Sequence, residues 1–336
     1  MMPVNYHHPV KVGGAELPGN LFLAPVAGYS DAAFRSVCVD EGADLCFTEM
    51  VSSEALTRGH TKTKSLLDRA ENEKIYAIQL FGASPEALGK ACELVLPWRP
   101  AVVDLNCGCP VPKIVKAGAG SALMRDPGLL GRIVESMSAA LGPSGIPLTV
   151  KIRLGWDSGS VNWREVAETA VRSGAAAITL HARTRAQNYS GTADWSAIRE
   201  LVSLLPVPVF GSGDIFSAAA ARRFMEETGA AGVMIARGAM GNPFIFREAR
   251  AALEGLPPPV IGARERAATA RRHLGLSVRF LGERTACVEF RKQFCSYTKG
   301  SVAGAELRKE AVRCSTVGEF EALFGRWLER AGESGE

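Results

Sequence analysis

No apolar run in the 336-residue chain approaches the roughly 20 residues of a membrane span. The N-terminus also lacks the charged-then-apolar layout of a secretory signal. On these absences the expected compartment is cytoplasmic. Zinc spacing is missing too. The nearest cysteines, Cys107 and Cys109, are one residue apart, and no second Cys/His pair completes a site, so no metal is expected. The 8 cysteines show no framework spacing, which leaves reduced thiols as the default. A large excess of one charge is absent as well, the net being +4. That small excess is concentrated. Residues 1–259 balance 25 basic against 25 acidic side chains, residues 260–313 carry 12 against 5, and residues 314–336 carry 2 against 5. A concentrated basic segment is the footprint of a polyanion partner, although a solvated helical surface has the same composition.

What is present is a regular series of short apolar runs: 21–27, 43–51, 75–81, 102–106, 148–154, 176–181, 207–210 and 232–235. Alanine- and leucine-rich stretches of helical period separate most of them. Ser84-Pro85-Glu86 and Asp126-Pro127 are capped helix starts with proline in the first turn. Eight strands alternating with helices predict a (β/α)8 TIM barrel. A doubly wound open sheet would carry its glycine fingerprint after the first strand, and Ala24-Pro25-Val26-Ala27-Gly28 does not match it. The pattern stops at Pro257-Pro258-Pro259, a stiff linker. Helical periods at 263–281, 285–297, 305–313 and 316–330 follow. The expected organisation is a catalytic barrel over residues 1–255 and a small all-helical domain over 261–336.

Asp104-Leu105-Asn106-Cys107-Gly108-Cys109-Pro110 ends a buried strand in a loop, where a barrel does its chemistry. Held between glycine and proline, Cys109 is directed toward that mouth, where a thiol serves as nucleophile, acid or ligand. The other strand ends present Pro25-Val26-Ala27, Glu49, Gln79, Lys151 with Arg153, His181 with Arg183, Gly211-Ser212-Gly213-Asp214 and Ala236-Arg237-Gly238. Lys151 lies within an otherwise buried strand, so its ammonium needs an anionic or hydrogen-bonding partner. Glycines after the last two strands, beside Arg237, mark a phosphate site for a phosphorylated cofactor.

These segments resemble the tRNA-dihydrouridine synthases along nearly the whole chain. Residues 24–35 are similar to the family's opening motif, and Asp104 to Pro110 to its catalytic loop. Lys151-Ile152-Arg153, 181–185 and 211–215 match in order, and Arg291-Lys292 through Tyr297-Thr298-Lys299-Gly300 is similar to the helical domain of the bacterial B-type branch. The resemblance implies an FMN enzyme that reduces the 5,6 double bond of uridine in tRNA, in the D-loop, with NADPH or NADH as reductant and no protein partner evident. It assigns Pro25, Val26, Ala27, Gln79 and Lys151 to the flavin ring, with His181 nearby. It assigns Ser212, Gly213, Asp214, Ala236 and Arg237 to the ribityl phosphate. Asn106 would meet flavin or uracil, Arg183 and Arg185 uracil or RNA, and Arg291, Lys292 and Lys299 the tRNA backbone. Ser212 and Ala236 depart from the family's usual asparagine and glycine, and Cys107 has no assigned role.

By that resemblance Cys109 is a neutral thiol that protonates C5 of the base as hydride reaches C6. Lys151 stabilises the reduced ring, and the target base turns out of its stack into the barrel mouth. Two other readings use the same residues. One is a barrel reductase of a free pyrimidine or enone, which leaves the basic tail unexplained. The other is a non-catalytic RNA-binding protein, which leaves Cys109, Lys151 and His181 unexplained.

Overall fold

The computed structural model describes residues 4–302 and 304–334, so the expected domain limits at residues 1 and 336 lie outside the described residues. Eleven strands are found among them. β1 (Val10–Val12) and β2 (Ala15–Leu17) form an antiparallel hairpin that the sequence reading did not include. The other nine are parallel: β3 (Leu21–Leu23), β4 (Leu45–Cys46), β5 (Val51–Ser52), β6 (Ala77–Phe81), β7 (Val102–Asn106), β8 (Leu148–Arg153), β9 (Ala177–His181), β10 (Val209–Ser212) and β11 (Gly232–Ile235).

All eight expected strand positions are occupied. β4 and β5 are two pieces of the second, which loses its ladder in the middle. Phe47 joins them by a bridge to Ala77, and its amide bonds to Leu23 O at 3.1 Å. With β11 paired to β3, the sheet closes on itself. The run at 207–210 is displaced to Val209–Ser212, because Val207, bracketed by Pro206 and Pro208, precedes the ladder and Gly211 continues it. The two capped helices start as expected. Ser84 accepts from Ala87 N ahead of Pro85–Val95, and Asp126 accepts from Leu129 N ahead of Pro127–Leu141.

Alternation along the strands sorts the side chains into two cores. Ile78, Leu80, Val103, Leu105, Val150, Ile152, Ile178 and Leu180 face the helices. Phe22, Phe47, Ala77, Val102, Ala177, Phe210 and Met234 belong to a second cluster in the barrel axis, joined by Val10, Val12 and Leu17 of the hairpin. The hairpin thus stoppers the amino-terminal end of the barrel. The carboxyl-terminal end is left for polar groups.

Beyond the proline linker, helices Ala263–Leu281, Glu283–Tyr297, Gly304–Ala311 and Val317–Ser334 bury Phe290, Phe294, Phe320, Phe324 and Trp327 in a core of their own. This unit is docked on the barrel. His273 stacks on Phe34 of the helix Ala32–Asp40 with ring centroids 5.4 Å apart, and the Tyr297 hydroxyl lies 3.3 Å from its Nδ1. Arg272 pairs with Asp40 alongside. Gly241 meets the second C-terminal helix so closely that a Cβ there would stand 2.3 Å from the carbonyl carbon of Ser296.

Burial lowers the His273 imidazole to about 4, so it is neutral in the folded protein at pH 7. A depressed folded value means that the contribution is complete above the unfolded value near 6.5 and is lost as pH falls toward 4. The stability difference between the wild type and His273→Phe should therefore shift by about 2 kcal/mol against the wild type between pH 7.5 and pH 5. Urea unfolding at the two pH values checks this, and an unchanged difference would exclude a neutral, buried His273.

Candidate active site

A cavity of about 440 Å³ opens at the carboxyl-terminal end of the barrel. Pro25, Val26, Ala27, Gln79, Lys151, His181, Ser212, Gly213, Asp214, Ala236 and Arg237 all line it, together with Asn106 and Cys109. Strand register explains the convergence. Asn106 pairs with Lys151, Arg153 with His181, and His181 with Ser212, so the last inward positions of neighbouring strands lie side by side. The loop after β3 is fixed from three sides. Val26 N donates to Ser30 Oγ, Gly28 N to Glu49 Oε2 at 2.6 Å, and the buried Arg35 holds Ser30 O while pairing with Glu73 at 2.8 Å.

The Cys109 loop is also held in place. Gly108 N and Cys109 N donate to Asn106 Oδ1 at 3.1 and 2.9 Å. Arg153 Nε donates to Gly108 O, and Ser121 donates to Cys109 O through both its amide and its hydroxyl. Gly120 sits at φ +62, where a Cβ would stand 2.8 Å from Cys109 O, so only glycine fits. Burial raises the half-buried Cys109 thiol above its ordinary value, outweighing Arg153 and Lys151, which lower it. Cys109 is therefore a protonated thiol at neutral pH. Asn106, expected to touch flavin or uracil, is otherwise engaged. Its Oδ1 caps the loop and its Nδ2 donates to Gln79 Oε1 at 2.8 Å.

Cations dominate the rest of the lining. Lys151, Arg153 and Arg237 line the cavity beside His181, and the one carboxylate among the lining residues is Asp214. Burial, then Arg153, lowers Lys151 to about 8. Burial lowers Arg153 to about 10. His181 is driven well below its ordinary value, first by burial and then by Lys151, Arg153, Arg183 and Arg237, so it is neutral. Its Nε2 is buried without a partner, as is Nη1 of Arg183. Such a surface is completed by an anion and by groups that donate to or accept from a neutral imidazole.

Several expected contacts need correction. The Asp214 carboxylate faces Arg183 at 2.7 Å and Arg237 at 3.2 Å, and so acts as their counter-charge. Only its backbone, at φ +58, remains to serve a phosphate. Arg183 offers RNA no surface, being 1% exposed and spent on Ser190 O, Gly191 O and Asp214. Arg185 lies outside the cavity wall, its guanidinium 4.5 Å from the Trp156 ring centroid, with Arg125 against the same ring at 4.8 Å. Arg291 caps a helix end, donating to Cys314 O and Arg313 O. Lys292 pairs with Glu289 and sits 5.6 Å from the Tyr29 ring centroid, reaching from the helical unit toward the barrel mouth. Lys299 is exposed.

Residues without an expected role also enter the site. Arg153 shares the inward face of β8 with Lys151, a placement that period-two alternation predicts. Tyr189 and Phe216 are about half exposed, and they flank Arg237 at 4.5 and 5.2 Å. Both lie on loops, where no periodicity announces them.

Known proteins are similar to this chain in sequence and in fold. A model of the family described as dihydrouridine synthase matches residues 22–331. A probable tRNA-dihydrouridine synthase of Treponema pallidum is 46% identical over 326 residues, covering 95% of this chain and 96% of that one. The tRNA-dihydrouridine synthase B of Pasteurella multocida is 32% identical, covering 87% of each. Among solved structures, a 2-naphthoyl-CoA reductase complex superposes with TM-score 0.59 over 75% of this chain and 52% of that one at 11% identity. Morphinone reductase superposes with TM-score 0.52 over 79% and 93% at 13% identity. The two structures share the fold. With a family model spanning nearly all of it and relatives aligned over almost their full length, the chain belongs to the dihydrouridine synthase family.

Proposed function

We propose that this protein reduces the 5,6 double bond of uridine in tRNA, using FMN, with NADPH as reductant and a D-loop uridine as target, in the cytoplasm. The observation that carries the reading is a protonated, loop-fixed thiol that shares one cavity with Lys151, Arg153 and Arg237. That donor set suits a flavin mononucleotide. Ser212, Gly213 and the Asp214 backbone with Arg237 would take the phosphate, while Lys151, Gln79, His181 and the Pro25–Ala27 loop would take the ring. When bound, the flavin supplies hydride to C6 of the base. Cys109 delivers the Sγ proton to C5, for which a raised thiol value is required. Lys151 offers positive charge to an anionic ring, and the neutral His181 offers a hydrogen bond without a second charge.

We assign residues 1–255 to catalysis and 261–336 to gripping the tRNA. The basic excess in 260–313 supports this, as does Lys292, which reaches toward the mouth from the helical side.

The purified protein should release FMN on denaturation, and Cys109→Ala should keep the flavin and NADPH oxidation but lose at least about 100-fold in dihydrouridine formation. Mass mapping of the tRNA product decides this, and turnover near wild type would remove Cys109 as the acid. FMN affinity of the apoprotein should fall as pH rises through about 8, because Lys151 loses its charge there. A fluorescence titration of Lys151→Met should lack that fall. Replacing Lys292 and Lys299 with glutamine should lower the log–log salt slope of tRNA binding by about 0.7 to 0.9 per lost phosphate contact. Arg291→Gln should instead lower stability and leave the slope unchanged, since that side chain caps a helix.

A further inference from the structure

Behind Cys109 lies a continuous set of buried side-chain hydrogen bonds, of which the proposed chemistry uses only Gln79. Thr149 Oγ1 donates to Asp104 Oδ1 at 2.6 Å, and Gln79 Nε2 donates to Asp104 Oδ2 at 2.7 Å. Asn106 Nδ2 donates to Gln79 Oε1 at 2.8 Å, and Asn106 Oδ1 receives the amides of Gly108 and Cys109. Gln79, Asp104 and Thr149 are register partners on adjacent strands, with Asn106 one inward position above. Gln79 and Asp104 are fully buried, and Asn106 is 9% exposed.

The polarity of this series is fixed at both ends. Backbone amides can only donate, so the oxygen of Asn106 must face the Cys109 loop and its nitrogen must face Gln79. At the other end, an ionised carboxylate can only accept, so the nitrogen of Gln79 must face Asp104. Burial raises Asp104 to about 6, so above that pH it is the carboxylate. Both carboxamides are thus oriented by an acceptor below and donors above. A reversed Gln79 would place two nitrogens against each other at Asn106, which would free the oxygen that holds Cys109.

We propose that Asp104 is a positioning residue: through Gln79 and Asn106 it fixes the orientation of the amide clamp on the Cys109 loop, and so the placement of the thiol that protonates the base. The inference rests on the proposed role of Cys109. It assigns a task to an aspartate deep in the barrel axis, two side chains away from the reacting groups.

The test uses the flavin-loaded protein at pH 8. Iodoacetamide labelling of Cys109 is followed by peptide mass, with the half-exposed Cys295 as internal reference. Asp104→Leu removes the acceptor and should raise Cys109 labelling about tenfold, with Cys295 unchanged. It should also lower kcat on tRNA by about tenfold, with KM for tRNA unchanged. Asp104→Asn should restore both, because one carboxamide oxygen still accepts from Gln79 while the Thr149 hydroxyl turns to accept. Asn106→Ala removes the clamp, so adding Asp104→Leu to it should change neither quantity further. Wild-type labelling and kcat in Asp104→Leu, or effects that add to those of Asn106→Ala, would overturn the proposal. If Asp104→Leu does not fold, Asp104→Ala removes the same acceptor and is judged by the same outcomes. Should Cys109→Ala retain turnover while Asp104→Leu still alters labelling, the role of Cys109 fails and the relay stands.

Discussion

Alternation along a closed parallel barrel is the constraint on which the rest of this structure depends. Once the sheet closes, every second side chain faces the axis, and the register between strands decides which inward groups are neighbours. The lower inward positions hold Phe22, Phe47, Phe210 and Met234 against the hairpin. The middle layer holds Gln79, Asp104 and Thr149, and the upper one Asn106, Lys151, His181 and Ser212. A slip of one residue in β8 would put Lys151 and Arg153 among the helices and bring Val150 and Ile152 into the site. The hydrophobic set on the outer face of each strand therefore fixes the catalytic set on its inner face.

Much of this was legible in the sequence. The strand series and the proline-capped helices have local causes, and they appear close to where spacing put them, with one strand shifted by two residues and one split. So do the strand-end residues, since a parallel barrel gathers such ends at one mouth. Other features depend on partners far away in the chain. The hairpin of β1 and β2 is too short to have a periodic signature and forms because the barrel floor needs covering. The break between β4 and β5 is a matter of closure geometry. Arg183 and Arg291 look like nucleic-acid contacts when read as charges, yet in the fold Arg291 donates to nearby carbonyls and Arg183 is buried against carbonyls and Asp214, with Nη1 left over. A sequence shows that a cation is present and does not show whether its donors are free.

The same distinction applies to the amides. Asn106 and Gln79 both line the cavity, and either could be read as a ligand contact. Their hydrogen bonds give a different division of labour, in which Asn106 shapes the loop and Gln79 orients Asn106. Preorganisation of this kind is what a proton donor needs, because a loop of glycine, cysteine and proline has no regular ladder to hold it. Arg153 and Ser121 fasten the same loop from its carbonyl side. The loop that carries the thiol is thereby held through main-chain contacts on both faces.

The cationic wall has a further consequence. Lys151, Arg153, Arg183 and Arg237 surround His181, while Asp214 alone among the lining residues carries the opposite charge. Burying charge costs free energy, and the values of Lys151, Arg153 and His181 are lowered first by burial and then by neighbouring cations. Asp214 offsets part of that cost by pairing with Arg183 and Arg237, so removing it would leave two guanidinium groups uncompensated. An anion seated on this wall would relieve the remainder, which makes ligand affinity and folding stability two readings of one electrostatic term. The barrel mouth is thus a region the fold holds at a cost, which a bound anion would offset.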